Sequence, residues 1–437
     1  MIPVPLDLIT IADNRQRREF NPDEIASLMD SIQSKGLFHP IVVRVDNENQ
    51  SVTLIAGERR LRAIKDLWAL GGSFKYNNEP VPEGYIPAVT LGELSPLEIE
   101  EAELEENIRR VDLTWQERAT ANARLAKLRA DQAAAKGEEP PTVAAISLEV
   151  RGSSEGINQD TTRQEIIVAK HLSNPEVAAA KNVKEAFKIL RRQEDVKKNL
   201  RLAEHVGKTF SANQHKILLG RFEDHMLNMQ VGIFDVILID PPYGMGADDF
   251  GDSGGMITTV HKYDDSFENW LPSITSFARL SYIVAKQQAH LYCFVDIDNF
   301  GIAKDIFREA GWTVHRTPII WHKPNGQRAP WPEHGPQRKY EVILYAMTGK
   351  RPTNKLAPDL ITYPMDENLG HAAQKPVALY VDLLKRSVRP GDAILDAFCG
   401  SGTIFPAAHE VLCTATGIEL DPNHYGIAVK RIEGLKK

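Results

Sequence analysis

The chain has 437 residues, 42% hydrophobic and 25% charged, with a net charge of −7. That is the make-up of a soluble globular protein of two or three domains, and it excludes a disordered, fibrous or membrane chain. Net negative charge means that any contact with nucleic acid must be local, and GERRLRAIK, NIRR, KILRRQEDVKKNLR and HKPNGQR hold clusters that could equally be solvated helix faces.

No stretch approaches the roughly 20 apolar residues of a membrane helix, and MIPVPLDLITIADNR lacks the basic and apolar regions of a signal peptide. A cytoplasmic location with no membrane partner is expected. Cys293, Cys399 and Cys413 are too few and too scattered for a disulfide framework or a tetrahedral zinc site. They read as reduced structural thiols.

Residues 1–110 read as an α/β unit: a helix over PDEIASLMDSIQSKG, strands at PIVVRVD and VTLIAG, and a helix from GERRLRAIKDLWALG, jointed at Gly36, Pro40 and Gly57. Residues 111–205 read as helical. A run from Leu97 to Ala135 breaks at GEEPP, then TVAAISLEVRG, a Ser/Gly turn and QDTTRQEIIVAKHL suggest a helix-turn-helix, with an ordinary helical hairpin equally compatible. A charged helix from Val183 to about Glu204 leads out of this region.

Residues 206–437 change texture. FDVILIDPPY, AHLYCFVDI, TPIIWHKP, YEVILYAMTG, DAILDAFCGSGT and TATGIELD are apolar strands separated by helical segments, the pattern of a doubly wound, Rossmann-like sheet. In DAILDAFCGSGT a strand enters a glycine turn and a helix. Gly400 and Gly402 let a ligand approach the backbone, and Asp396 can meet a cation or a hydroxyl. Glu419 ends the next strand, where an acidic residue accepts from ribose hydroxyls. The full dinucleotide fingerprint is missing, which favours S-adenosylmethionine over NAD.

FDVILIDPPYG delivers Asp240, Pro241, Pro242 and Tyr243 to the carboxyl edge of that sheet, where such folds bind ligands. An exocyclic amino group on a base is a poor nucleophile because its lone pair is delocalised. The Asp240 carboxylate and the Pro241 carbonyl can accept its hydrogens, and Tyr243 can stack on a base taken out of the helix. In-line transfer of a methyl group then needs positioning and electrostatics, and the chemistry requires no metal.

DPPY, the glycine motif and Glu419 together, over about residues 214–432, resemble the beta group of DNA amino-methyltransferases, in which the DPPY segment precedes the cofactor motif. The resemblance implies a seven-stranded methyltransferase sheet, with S-adenosylmethionine on Asp396, Phe398, Gly400, Ser401, Gly402, Thr403 and Glu419. It adds Lys375, from the QKP segment of HAAQKPVAL, to the cofactor site. Asp at the first position of DPPY is more usual of adenine methylases, so N6 of adenine is expected, with N4 of cytosine as the alternative. The interval Thr348–His371, where that group usually carries its base-reading insert, is short. Residues 244–266 could form a lid over the base or an ordinary glycine-rich loop.

GLFHPIVVR, GERRLRA and ELEENIRRVDLTWQERA, in that order, resemble the ParB family over about residues 1–195. That resemblance implies CTP with Mg2+ on Gly57, Glu58, Arg59, Arg60, Glu106, Asn107 and Arg110. The alternative is a GERR helix that only caps its fold. His39 stands where relatives often have glutamine, and the cysteine of the related sulfiredoxin fold is lacking. Double-stranded DNA is the expected partner, with a homodimer as an option. A rival reading is a ParB-like partition or transcription regulator that keeps its methyltransferase domain as a scaffold.

Overall fold

The computed structural model describes residues 2–11, 22–38, 40–46, 51–90, 113–244, 266–325, 339–365 and 374–435. The chain divides into two compact units, Met1–Gln193 and Glu194–Lys437.

The first unit opens with β1 (Ile2–Pro5) and β2 (Ile9–Thr10), followed by β3 (Ile41–Asp46), β4 (Ser51–Ala56), the small ribbon β5 (Lys75–Tyr76) and β6 (Glu79–Pro80), and β7 (Tyr85–Thr90). Five of these form one sheet in the order β1-β7-β3-β4-β2. The helices Pro22–Lys35 and Glu58–Ala69 bury Ile32, Leu61, Ile64 and Leu67 in one core with Ile41, Val43 and Leu54. Prolines hide β1 and β7 from a sequence reading, since proline cannot donate to a ladder. Pro3 and Pro87 stand opposite each other, and Pro5 stands opposite Tyr85.

The helical run expected from Leu97 is described only from its second part. Thr114 and Glu117 form a reciprocal capping box that starts a helix at Trp115–Lys136, and Gly137 ends it in the left-handed conformation. The helices Val143–Arg151 and Gly156–Ala169 follow, joined through Gly152, which is also left-handed. Arg151 pairs with the buried Glu165 at 2.6 Å, and Asn122 donates to the same carboxylate at 2.7 Å, so three helices meet on one buried charge. The helix Val183–Val206 contains the boundary between the two units.

The second unit is built on a mixed sheet of ten strands among the described residues: β8 (Thr209–Ala212), β9 (His215–Leu219), β10 (Phe234–Ile239), β11 (Ala285–Val295), β12 (Thr313–Val314), β13 (Ile319–His322), β14 (Tyr340–Met347), β15 (Leu360–Thr362), β16 (Ala393–Asp396) and β17 (Thr414–Glu419). Their order is β15-β13-β14-β11-β10-β16-β17-β9-β8, with β12 also on β14. The expected seven strands are thus exceeded, because the hairpin β8–β9 extends one edge and the short β12 and β15 lie at the other. Central strands β11, β10, β16, β17 and β9 run parallel, and every residue of β10 is buried, as a strand covered on both faces requires. One apolar core lies around Leu379, Leu383 and Tyr425, another around Trp270, Phe277 and Phe307. All three cysteines are buried and free.

Candidate active site

Parallel strands bring two distant motifs side by side. β10 pairs with β16 through Val236 with Ile394 and Ile237 with Leu395, so Asp240 and Asp396 leave the sheet at the same edge. β17 pairs with β16 on its other side and ends at Glu419. The two motifs, some 150 residues apart in sequence (Asp240 to Asp396), thereby frame one cleft, in the place where open α/β sheets bind ligands.

At the first of these ends the Lys375 ammonium donates to Asp240 Oδ2 at 2.7 Å and to the Tyr243 hydroxyl at 3.0 Å. Tyr243 lies within donating reach of Asp240 Oδ1, at 2.8 Å, and of Glu341 Oε2, at 3.0 Å. Lys375 is also 3.3 Å from Glu341 Oε2, and Lys323 donates to Glu341 Oε1 at 2.8 Å. Asn299 donates to the Tyr243 carbonyl at 2.7 Å and fixes the backbone after the two prolines. Pro241 is buried and Pro242 exposed. Gly244 turns the chain at φ 71, where a Cβ would stand 2.7 Å from Trp270.

Burial pushes the Asp240 carboxyl up, against the pull of Lys375. Burial also opposes charge on Glu341, yet Lys375 and Lys323 together hold its carboxyl down to about 2. Lys375 is raised although burial works against it, since Asp240 and Glu341 both face its ammonium. Tyr243 is raised well above its ordinary value by burial and by the two carboxylates, so it stays protonated. Lys375, expected on the cofactor, therefore has its ammonium among the DPPY residues. Glu341 and Lys323 were not singled out from sequence; their one signal is that a charged residue opens the strand YEVIL and closes IIWHK.

The glycine turn forms the other part of the cleft. Glu419 accepts from the Gly400 amide at 2.7 Å and from the Asp421 amide at 2.8 Å, and Asp396 accepts from the Phe398 amide at 3.1 Å. Neither carboxylate has a cationic partner among the described residues. Burial raises Glu419 to about 7 and Asp396 well above its usual value. The two glycines serve different ends. Gly400, at φ 52, faces open space, whereas a Cβ on Gly402, at φ 82, would stand 2.8 Å from Phe405 and 2.9 Å from Ala428.

Phe398 packs its ring 5.1 Å from Phe222 and 5.5 Å from Phe277. Ser401 and Thr403 are buried, and Gln374 and Arg431 tie them together: Arg431 donates to Thr403 Oγ1 at 3.2 Å and to Gln374 Oε1 at 2.9 Å. Two buried acceptors that lack cations, beside a glycine that leaves the backbone open, fit a ligand with ribose hydroxyls and positive charge, as S-adenosylmethionine has.

In the first unit Gly57 caps the helix Glu58–Ala69 at φ 100. Arg62 donates to Glu58 at 2.7 Å and Arg60 to the Pro40 carbonyl at 2.6 Å, so the fold itself engages both; Arg59 is partly buried. His39, Glu106, Asn107 and Arg110, most of the interval 244–266 and residues 366–373 lie outside the described residues. Among those described, no helix is long and apolar enough to cross a membrane, and no group of His, Cys, Asp and Glu could hold a metal ion.

Residues 234–430 match the DNA methylase family that covers N6 and N4 enzymes, and residues 2–69 match the ParB N-terminal domain. The chain is 24% identical over 230 residues to the type II methyltransferase M.HpaI of Haemophilus parainfluenzae, covering 47% of this chain and 70% of that one. It is likewise 24% identical over 245 residues to the type II methyltransferase M2.DpnII of Streptococcus pneumoniae, covering 51% and 91%. A solved structure, the complex of M1.HpyAVI with SAM, aligns at a TM-score of 0.37 and 22% identity, covering 50% of this chain and 99% of that one. The two matches occupy separate stretches of one chain, the ParB N-terminal match near its start and the DNA methylase match in its second half.

Proposed function

We propose that the chain methylates the N6 amino group of adenine in double-stranded DNA. The observation that carries the reading is the pairing of β10 with β16, which sets the Asp240 carboxylate and the Pro241 carbonyl beside the glycine turn and its two uncompensated acids. Adenine is preferred to cytosine on the aspartate that opens the DPPY segment.

S-adenosylmethionine, when bound, supplies an electrophilic sulfonium methyl. Glu419 would accept from the ribose hydroxyls, Asp396 would face positive charge, and Gly400 would give the backbone room; Phe398, Ser401, Gly402 and Thr403 shape that turn. Asp240 and the Pro241 carbonyl accept the two hydrogens of the target amino group and aim its lone pair. Tyr243, pinned through its hydroxyl, offers a ring for stacking, worth ~1–3 kcal/mol. The extruded base is read where water is excluded, so each acceptor counts for more than it would in solvent.

The division into residues 1–110, 111–205 and 206–437 assigns DNA docking to the first two parts. Within them, the helices Val143–Arg151 and Gly156–Ala169 would act as a helix-turn-helix, with Ile157, Asp160 and Arg163 exposed on the second. A cytoplasmic, DNA-bound enzyme is the expected setting.

The test is methyl transfer from labelled S-adenosylmethionine to unmethylated duplex DNA, with the modified base identified by mass spectrometry. We expect N6-methyladenine, and a loss of about 100-fold or more in Asp240→Ala with cofactor binding retained. N4-methylcytosine would move the target base. No transfer despite bound cofactor would defeat the enzyme reading and favour a DNA-binding regulator.

A further inference from the structure

Lys375 stands between two carboxylates. Its ammonium is 2.7 Å from Asp240 Oδ2 and 3.3 Å from Glu341 Oε2. Asp240 is the acceptor on which the proposed chemistry depends, so this inference rests on the methyltransferase reading. We propose that Glu341 is the second seat of Lys375, which holds Asp240 while no base is present and moves onto Glu341 when the target amino group reaches Asp240.

The reason is the charge that develops during transfer. The amino nitrogen would become cationic as its lone pair bonds the methyl carbon while the sulfonium S–C bond breaks and leaves its electron pair on sulfur, and it would then pass a proton to Asp240. An ammonium bound to the same carboxylate opposes that cation and competes for the same lone pairs. Taking Lys375 off Asp240 with nowhere to go would strand a buried ammonium, which is costly. Glu341 removes that cost, because it already lies within reach of the same flexible lysine stem.

Two further contacts suit Glu341 to the part. Lys323 holds its other oxygen at 2.8 Å, so the carboxylate is fixed and stays charged. The Tyr243 hydroxyl lies 2.8 Å from Asp240 Oδ1 and 3.0 Å from Glu341 Oε2. Tyr243 can go on donating its single hydroxyl hydrogen to Asp240 Oδ1 while Lys375 shifts, which keeps the carboxylate oriented. Lys375 also lies over the rings of Tyr243 and Phe294, with centroids at 5.4 and 5.1 Å, so the ammonium keeps aromatic faces beneath it in this position. Glu341 touches none of the reacting atoms in this scheme. It is a positioning residue.

The test uses the full chain and compares Glu341→Gln with wild type for methyl transfer to duplex DNA and for S-adenosylmethionine affinity. Without Glu341, Lys375 has Asp240 as its one carboxylate, so kcat should fall about tenfold or more while cofactor Kd stays within about twofold. Lys375→Gln added to Glu341→Gln should then raise kcat above that of Glu341→Gln alone, a rescue that a merely structural role would not give. An unchanged kcat in Glu341→Gln, or a double variant slower than it, overturns the proposal. Should Glu341→Gln not fold, Glu341→Asp, whose carboxylate is drawn back by one methylene, decides in the same way: slower than wild type and rescued by Lys375→Gln, or not. A wild type that transfers nothing defeats the methyltransferase reading itself, whereas an active wild type indifferent to Glu341 defeats this inference alone.

Discussion

Glu419 is buried against backbone amides and its carboxyl is raised to about 7, from 4.5, by burial. Folding therefore holds its proton more tightly than the unfolded chain does. The resulting stabilisation, about 3 kcal/mol at most, is fully present below pH 4.5 and is lost as the pH rises through 7. Binding a ligand that donates hydroxyls should reverse the shift, since those donors favour the ionised form. Calorimetric titration with S-adenosylmethionine at pH 7, in buffers of different ionisation heat, should show proton release, to which Asp396 adds. Heats independent of buffer would remove Glu419 and Asp396 from the cofactor's contacts.

Most of the groups that meet in the cleft belong to segments that stand out in the sequence, because a polar residue at the end of an apolar strand is visible there. Asp240, Asp396 and Glu419 are of that kind. Glu341 is not, since it lies near the start of its strand, and its place beside Asp240 is set by the antiparallel pairing of β14 with β11, which reverses the end that reaches the site. Lys375 stood out in the sequence through its QKP segment, as a cofactor residue, but its carboxylate partners did not. A lysine stem can serve either side of a cleft, and only the packing decides which.

At the scale of elements, the glycine turn separates room for a ligand from room for packing. Ala at Gly402 would place a Cβ 2.8 Å from Phe405 and 2.9 Å from Ala428, besides the strain of φ 82, so Gly402→Ala should cost about 2–4 kcal/mol in urea unfolding. Gly400→Ala meets only the conformational penalty, about 1 kcal/mol, and should show itself in weaker cofactor binding. Equal destabilisation by the two would contradict this assignment. The hairpin β8–β9 escaped the sequence reading for a related reason. Its turn, Asn213-Gln214, adopts positive φ at both residues, 49 and 66, without the glycine that normally announces such a turn.

At the scale of the whole molecule, the catalytic unit begins before its first strand. Gly426 has no Cβ, and one there would stand 2.4 Å from the Asn199 carbonyl, so residues 194–206, the end of a long helix, lie directly against the helix Pro422–Glu433. Asn199 donates to Asn423 at 2.8 Å and accepts from Lys430 at 2.6 Å, and Ala203 is buried in the core. A fragment of residues 194–437 should unfold cooperatively, whereas one of residues 207–437 should lose on the order of 3 kcal/mol or more. Equal melting temperatures for the two would show that the helix end contributes nothing.

That contact has a consequence for how the unit can be wired. Asn213 donates to the carbonyls of Ile432 and Leu435, and Tyr425 to that of Gly207, so the first and last elements of the catalytic unit touch. The site draws its acidic residues from strand ends that share one edge of a sheet, with Lys375 just ahead of the helix Val377–Lys385. Joining the two ends and opening the chain in a connection elsewhere would leave every one of those strand ends in place. The order of the two motifs along the polypeptide is thus free to undergo circular permutation, and the cleft depends on which strands are neighbours, not on which is made first.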